Sequence, residues 1–137
     1  HGVDSLSLLK EINKQAIKCD RNIDCLLQIH IAHEETKFGL NEEELVAIYN
    51  QLQIFTNVSV IGYMGMASFT DDQEKIRNEF KHLKLIAEKY NLPKPAAIPH
   101  TQGVGLLSMG MSADYQIAIE EGSTHVRIGS LLFGSRR

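Results

Sequence analysis

Apolar residues recur along this chain at two periods, and the two periods alternate. Leu9, Ile12 and Ala16 share one helical face after Asp4, a good N-cap. The run Cys25-Leu26-Leu27-Gln28-Ile29-His30-Ile31 comes next; it is short, β-rich and bounded by polar residues, so it predicts a strand. After a loop at 34–39, Asn41 stands three residues before Glu44, the spacing of a capping box. Leu45, Ile48 and Leu52 give that second helix its apolar stripe. Val58-Ser59-Val60-Ile61-Gly62 predicts another strand, running into Tyr63-Met64-Gly65-Met66-Ala67. The third helix is the clearest: Asp71 or Asp72 caps it, Ile76, Phe80, Leu83, Ala87 and Tyr90 recur at helical spacing, and Asn91 and Pro93 end it. A loop rich in proline and glycine, Pro93 to Gly105, leads to the strand Leu106-Leu107-Ser108-Met109. Ser112 is expected to cap a fourth helix that Gly122 stops, and Thr124-His125-Val126-Arg127-Ile128 is the last strand.

Four such units imply βαβ crossovers and a parallel sheet. An eight-stranded barrel takes about 250 residues, and this chain has 137. Four strands in that length point to half a barrel, with a small open α/β sheet as the other arrangement the pattern allows. A hydrophobic fraction of 43% excludes a disordered segment. No apolar run reaches the roughly 18 residues that span a bilayer, and no charged-then-apolar leader precedes the first helix. A net charge of -3 argues against nucleic acid as a partner and leaves room for one small anionic ligand. Cys19 and Cys25, in a chain without a leader, suggest a reducing, cytoplasmic compartment rather than a disulfide. The chain begins at His1, not at methionine, which leaves a fragment and a processed product both open.

Candidate chemistry gathers in two segments, Ser108-Met109-Gly110-Met111-Ser112 and Val126-Arg127-Ile128-Gly129-Ser130. Each lies where a strand ends and the chain turns. Barrel sites lie there, and barrels often hold phosphate with the loops after strands seven and eight. Gly110 and Gly129 let backbone approach an anion closely. Ser112 and Ser130 offer hydroxyls, and a helix starting at Ser112 would present unpaired N–H groups. Arg127 precedes the second turn. Each residue alone reads as an ordinary turn or strand residue; the pairing of both segments in adjacent units carries the signal. Met64, Met66, Met109 and Met111 read as core or site wall.

The stretch Leu107-Ser108-Met109-Gly110-Met111-Ser112-Ala113-Asp114-Tyr115, with Gly122-Ser123-Thr124, Val126-Arg127-Ile128-Gly129 and Phe133-Gly134, closely resembles the pyridoxal phosphate homeostasis protein family, itself similar to the N-terminal barrel of alanine racemase. Glu34-Glu35-Thr36-Lys37-Phe38-Gly39 and Gly62-Tyr63-Met64-Gly65-Met66-Ala67 agree with it. The resemblance implies an α/β fold, the second half (about four βα units) of a (β/α)8 barrel that binds pyridoxal 5′-phosphate. It implies that Ser112, Gly129 and Ser130 hold the phosphate, that Met111 lines the site, and that Arg127 faces the pyridine nitrogen. A cation there disfavours protonation of that nitrogen and makes the ring a weaker electron sink. The implied role is cofactor binding and intracellular homeostasis rather than catalysis; the alternative is a racemase-like amino-acid isomerase, for which no second acid–base residue is evident.

Two departures stand out. His30 occupies a position where the family commonly has Asn. The family's Schiff-base lysine would lie upstream of His1, absent from this chain; Lys37 reads as a loop residue. His30 and His33 are three apart across a strand end with no further ligand at suitable spacing, so no metal is expected. Glu34 and Glu35 read as surface charge. Half a barrel leaves sheet edges exposed, so the expected partner besides the cofactor is a missing N-terminal half or a second copy.

Overall fold

The structure, a computed structural model, describes residues 2–32, 39–90, 92, 106–111 and 113–127. Among them, strands and helices alternate: β1 Gly2–Val3, α1 Leu6–Lys18, β2 Ile23–Gln28, α2 Glu42–Tyr49, β3 Val58–Gly65, α3 Gln73–Lys89, β4 Leu106–Met111, α4 Tyr115–Glu120 and β5 His125–Arg127. A short 3-10 turn, Leu52–Ile54, joins α2 to β3. The sequence pattern predicts four strands, and the structure adds a fifth, β1. Two residues are too few to show a period; β1 exists because Gly2 and Val3 pair in parallel with Leu26 and Leu27.

The helix starts follow from local chemistry. Asn41 and Glu44 form the reciprocal capping box, with bonds of 2.8 and 3.0 Å. Asp72 caps α3 by accepting from the Lys75 N–H. At α1 the cap is Ser5, one residue beyond Asp4, and its hydroxyl accepts from the Leu8 N–H at 3.1 Å. On α3, Ile76, Phe80, Leu83 and Ala87 are all buried, as their spacing predicts.

The sheet runs β1-β2-β3-β4-β5 in chain order, and every neighbouring pair is parallel. A doubly wound open sheet reverses its strand order at a switch point. This sheet never does, so it is a consecutive arc of barrel type. Right-handed crossovers then send every helix to the same face. Burial agrees: Val3, Cys25, Leu27, Tyr63, Leu107 and Met109 pack with the helices in one cluster, while Leu26, Gln28 and Leu106, on the other face, stay half-exposed.

One irregularity keeps that cluster continuous. Cys25 pairs with Val60 but Leu26 pairs with Gly62, so Ile61 is an extra residue in β3. The bulge shifts the helix-facing row of β3 from Val58 and Val60 to Tyr63 and Gly65. Burial pushes the Tyr63 phenol well above its ordinary range, and its hydroxyl donates to the Tyr90 carbonyl at the end of α3. Polar straps set the helices side by side. Arg77 reaches Glu120 and Glu121, both at 2.6 Å, across to α4. Lys89 and the Tyr90 hydroxyl meet at Glu42 on α2, and those two bonds hold the Glu42 carboxyl below its usual range.

Gly62 leaves no room for a side chain: a Cβ there would stand 1.9 Å from the Leu106 carbonyl oxygen. Gly62→Ala is expected to destabilise the protein by about 1–3 kcal/mol, because neither backbone can yield; the urea midpoint measures it. The two cysteines are free, Cys19 exposed and Cys25 buried. Burial pushes the Cys25 thiol up, so it stays neutral at pH 7–8. Iodoacetamide should therefore alkylate Cys19 in the native protein and Cys25 only after denaturation, as peptide mass mapping can show.

Candidate functional site

A polar seam at the start of β5 sets that strand against β4. Leu107 exchanges bonds with Thr124: the Thr124 N–H donates to the Leu107 carbonyl, and the Leu107 N–H donates to Thr124 Oγ1, each at 2.8 Å. The Ser123 hydroxyl lies within 2.7–3.2 Å of the carbonyls of His125, Met109 and Leu107. One hydroxyl proton can serve only one of these at a time, so Ser123 acts as a shared latch. These two side chains start β5 where the ladder alone has few bonds. They carry β5 into register, with Ser108 opposite His125 and Met111 opposite Arg127.

That register contains a second bulge. Three steps along β4 match two along β5. Gly110 absorbs the difference at φ +103, a conformation that favours glycine. The extra residue takes Met111 out of the buried row of Leu107 and Met109 and brings it to the rim, 47% exposed. The sequence suggested that Gly110 lets backbone approach an anion. What approaches it is protein: a Cβ would meet Ala118 at 2.6 Å and Val126 at 3.2 Å.

The turn after β4 departs from expectation. Ser112 does not cap the fourth helix. α4 begins at Tyr115, with Asp114 in the cap position. The Asp114 carboxylate folds back to accept the Met111 N–H at 2.6 Å, while the Asp114 N–H donates to the Met111 carbonyl. A tight turn replaces the first helical turn, and it occupies the Met111 amide. Gly122 does stop α4: its N–H donates to Ile119, the Ser123 N–H donates to Ala118, and Gly122 takes φ +105. This is a complete Schellman arrangement.

At the C-terminal ends of β3 and β4 lies an open groove of about 610 Å³, between the segment after β3 and the turn after β4. Met66, Phe69, Ile76, Met111 and Ile117 give it apolar walls, and Asp71 and Asp114 are its acidic groups. Among the described residues its lining holds no Lys, Arg or His. The wall after β3 is anchored from below. Both oxygens of Glu79 accept from Ser68, one from its N–H at 2.6 Å and the other from its hydroxyl at 2.7 Å. The sequence pattern did not single out Glu79, although a carboxylate between Ile76 and Phe80 interrupts the apolar stripe of α3 and is a signal that could have found it.

Of the five residues expected at the site, the structure brings Met111 and the backbone of Arg127 together as strand partners. Ser112, Gly129 and Ser130 lie outside the described residues, as do His33, Lys37 and the Pro93–Gly105 loop apart from its flanks. His30 Nε2 lies 2.7 Å from the Ala32 carbonyl, which commits the ring to its own turn. Among the described residues no three His, Cys, Asp or Glu side chains gather as metal ligands. No described helix is long and apolar enough to cross a membrane. The described part of the rim offers an anion the carboxylates of the groove and a spent amide, and the residues expected to grip a phosphate lie outside the described residues.

A family model described as alanine racemase, N-terminal domain, matches residues 1–137. A pyridoxal phosphate homeostasis protein of Aquifex aeolicus is 37% identical over 137 residues, covering 100% of this chain and 58% of that protein. The human protein of the same name is 38% identical over 137 residues, covering 98% and 49%. The chain thus spans about half the length of these curated relatives. PipY of Synechococcus elongatus, solved with PLP bound, superposes at a TM-score of 0.78 with 26% identity, over 96% of this chain and 58% of that one.

The glycine bulge gives a direct test. Gly110→Ala forces a side chain into positive φ and against Ala118, so it should lower stability by about 1–2 kcal/mol. Denaturant unfolding checks this; an unchanged midpoint would mean that the rim tolerates a regular β4.

Proposed function

The chain belongs to the alanine racemase N-terminal domain family, and from that premise we propose that it is the C-terminal half of a barrel that binds pyridoxal 5′-phosphate and serves intracellular homeostasis of that cofactor. The observation that supports this reading is the pairing of Met111 with Arg127, the last described strand partners before the two motif turns. Ser112, Gly129 and Ser130 would supply hydroxyl and backbone donors to the phosphate. Arg127 would face the pyridine nitrogen and Met111 would line the site. When bound, the cofactor supplies a reactive aldehyde. The chain's residues bind and orient it, and a guanidinium at the ring nitrogen keeps that nitrogen unprotonated.

Carriage rather than catalysis is supported by the names of the relatives, which describe homeostasis proteins. Racemisation is the weaker reading on the same ground. The half-exposed sheet face would be completed by an N-terminal segment of a longer protein or by a second copy. A cytoplasmic setting is supported by two unpaired thiols.

The test uses the full-length protein and pyridoxal phosphate, with bound cofactor followed by absorbance. Borohydride reduction and peptide mapping should leave the cofactor on a lysine outside residues 1–137. Ser112→Ala and Arg127→Ala should each weaken retention by about tenfold, the loss of one charge-assisted contact. Two variants that hold cofactor as well as the parent would refute the site assignment, and turnover of L- to D-alanine would favour the isomerase.

A further inference from the structure

Glu79 is a carboxylate inside the apolar stripe of α3. It is 1% exposed, and its neighbours on that stripe, Ile76, Phe80 and Leu83, are all core residues. A buried charged group is costly unless it is hydrogen-bonded. The bonds it makes to Ser68 are specific in direction: one carboxylate oxygen takes the backbone N–H and the other takes the hydroxyl of the same residue. Ser68 is itself 2% exposed. An apolar side chain at position 79 could pack α3 at least as well. What the carboxylate adds is a fixed place for Ser68.

That place matters because of the residues on either side of it. Gly65 ends β3, and Ser68 lies three residues further on, immediately before Phe69, which is 91% exposed. Phe69, Thr70 and Asp71 then form the groove wall that faces Met111 and Asp114. A large exposed aromatic can hold a wall only if the backbone beneath it is pinned. The opposite wall is pinned in the same way, by the Asp114 carboxylate on the Met111 N–H. Each side of the groove therefore rests on one carboxylate that grips a backbone amide.

We infer that Glu79 is a positioning residue for the cofactor rim: by fixing Ser68 it holds the segment after β3 in place as the groove wall opposite Met111 and Asp114, and so keeps the shape of the rim that the cofactor would border. The inference rests on the pyridoxal phosphate reading above. Glu79 itself does not touch the cofactor.

The experiment measures release of pyridoxal phosphate from the loaded full-length protein, alongside hydrogen exchange at the Ser68 amide in the cofactor-free protein. Glu79→Ala leaves the Ser68 N–H without this acceptor. It should speed release about tenfold and remove exchange protection at Ser68. In Glu79→Gln the amide oxygen still accepts the N–H and the amide nitrogen can donate to the hydroxyl, so release should stay within about threefold of the parent. Ser68→Ala keeps the N–H bond to Glu79 and removes the hydroxyl bond to it, and should fall between them; it carries the test with Glu79→Gln should Glu79→Ala fail to fold. Ile86→Ala is the control for stability without position. Ile86 is buried on α3 about two turns further along, and its loss should lower the melting temperature while leaving release within about twofold. The inference is overturned if Glu79→Ala and Ser68→Ala release cofactor at the parental rate, or if Ile86→Ala speeds release as much as they do. A parent protein that takes up no cofactor would remove the functional reading and this inference together; a parent that binds, with variants that match it, would remove this inference alone.

Discussion

Parallel strands laid down in chain order leave the helices only one face of the sheet to cover. β1 to β5 follow one another without a reversal, and right-handed crossovers carry each helix to the same side. The helices therefore pack on that side, where Leu9, Leu45, Phe80 and Leu83 share one cluster with Leu27, Tyr63 and Leu107. The opposite face is free to carry other chemistry, and Gln28 and Ser108 lie there beside Leu26 and Leu106. The C-terminal ends of all five strands come to one rim for the same reason. A reversed order would have placed helices on both faces and moved any site to a crevice at the switch point.

Regular strands could not have produced this rim. The bulge at Ile61 keeps Tyr63 on the helix side, where its hydroxyl reaches the end of α3. The bulge at Gly110 does the reverse for Met111, releasing it from the buried row. A single extra residue changes the face of every side chain after it. These two insertions therefore decide which residues are core and which are rim. The Ser123 and Thr124 hydroxyls then fix β5 against the altered end of β4.

What could be read from the sequence divides along the same physical line. Features set by neighbours within four residues were legible: the Asn41–Glu44 box, the Asp72 cap, the stripe of α3 and the glycine stop at Gly122. Features set by competition or by distant pairing were not. Ser112 looked like a cap because its spacing from Gly122 suits a helix, but Asp114 bonds the Met111 amide instead and starts α4 later. β1 is defined by its partner and not by its own two residues. The bulges depend on register, which no single strand reveals. The two rim motifs were read as a pair because both end strands of adjacent units; the structure pairs the strand ends, Met111 with Arg127, while Ser112, Gly129 and Ser130 lie outside the described residues. The Glu79–Ser68 clamp spans eleven residues and two elements, so only the break in the apolar stripe hinted at it.

Electrostatics separates the two halves of the rim. Asp71 and Asp114 flank the groove, and among the described residues no basic side chain lines it. The Met111 N–H, which could have bound an anion, already serves Asp114. Arg77, near the start of α3, is held by Glu120 and Glu121. A phosphate in the groove would therefore meet like charge with no free donor among these groups. On the reading proposed above, the donors of the phosphate clasp are Ser112, Gly129 and Ser130 rather than these groups. The groove then borders the clasp without belonging to it, and its apolar walls suit the uncharged parts of a bound molecule. On that reading the Asp114 carboxylate shapes the turn after β4 by taking the Met111 N–H, and the anion is left to Ser112, Gly129 and Ser130.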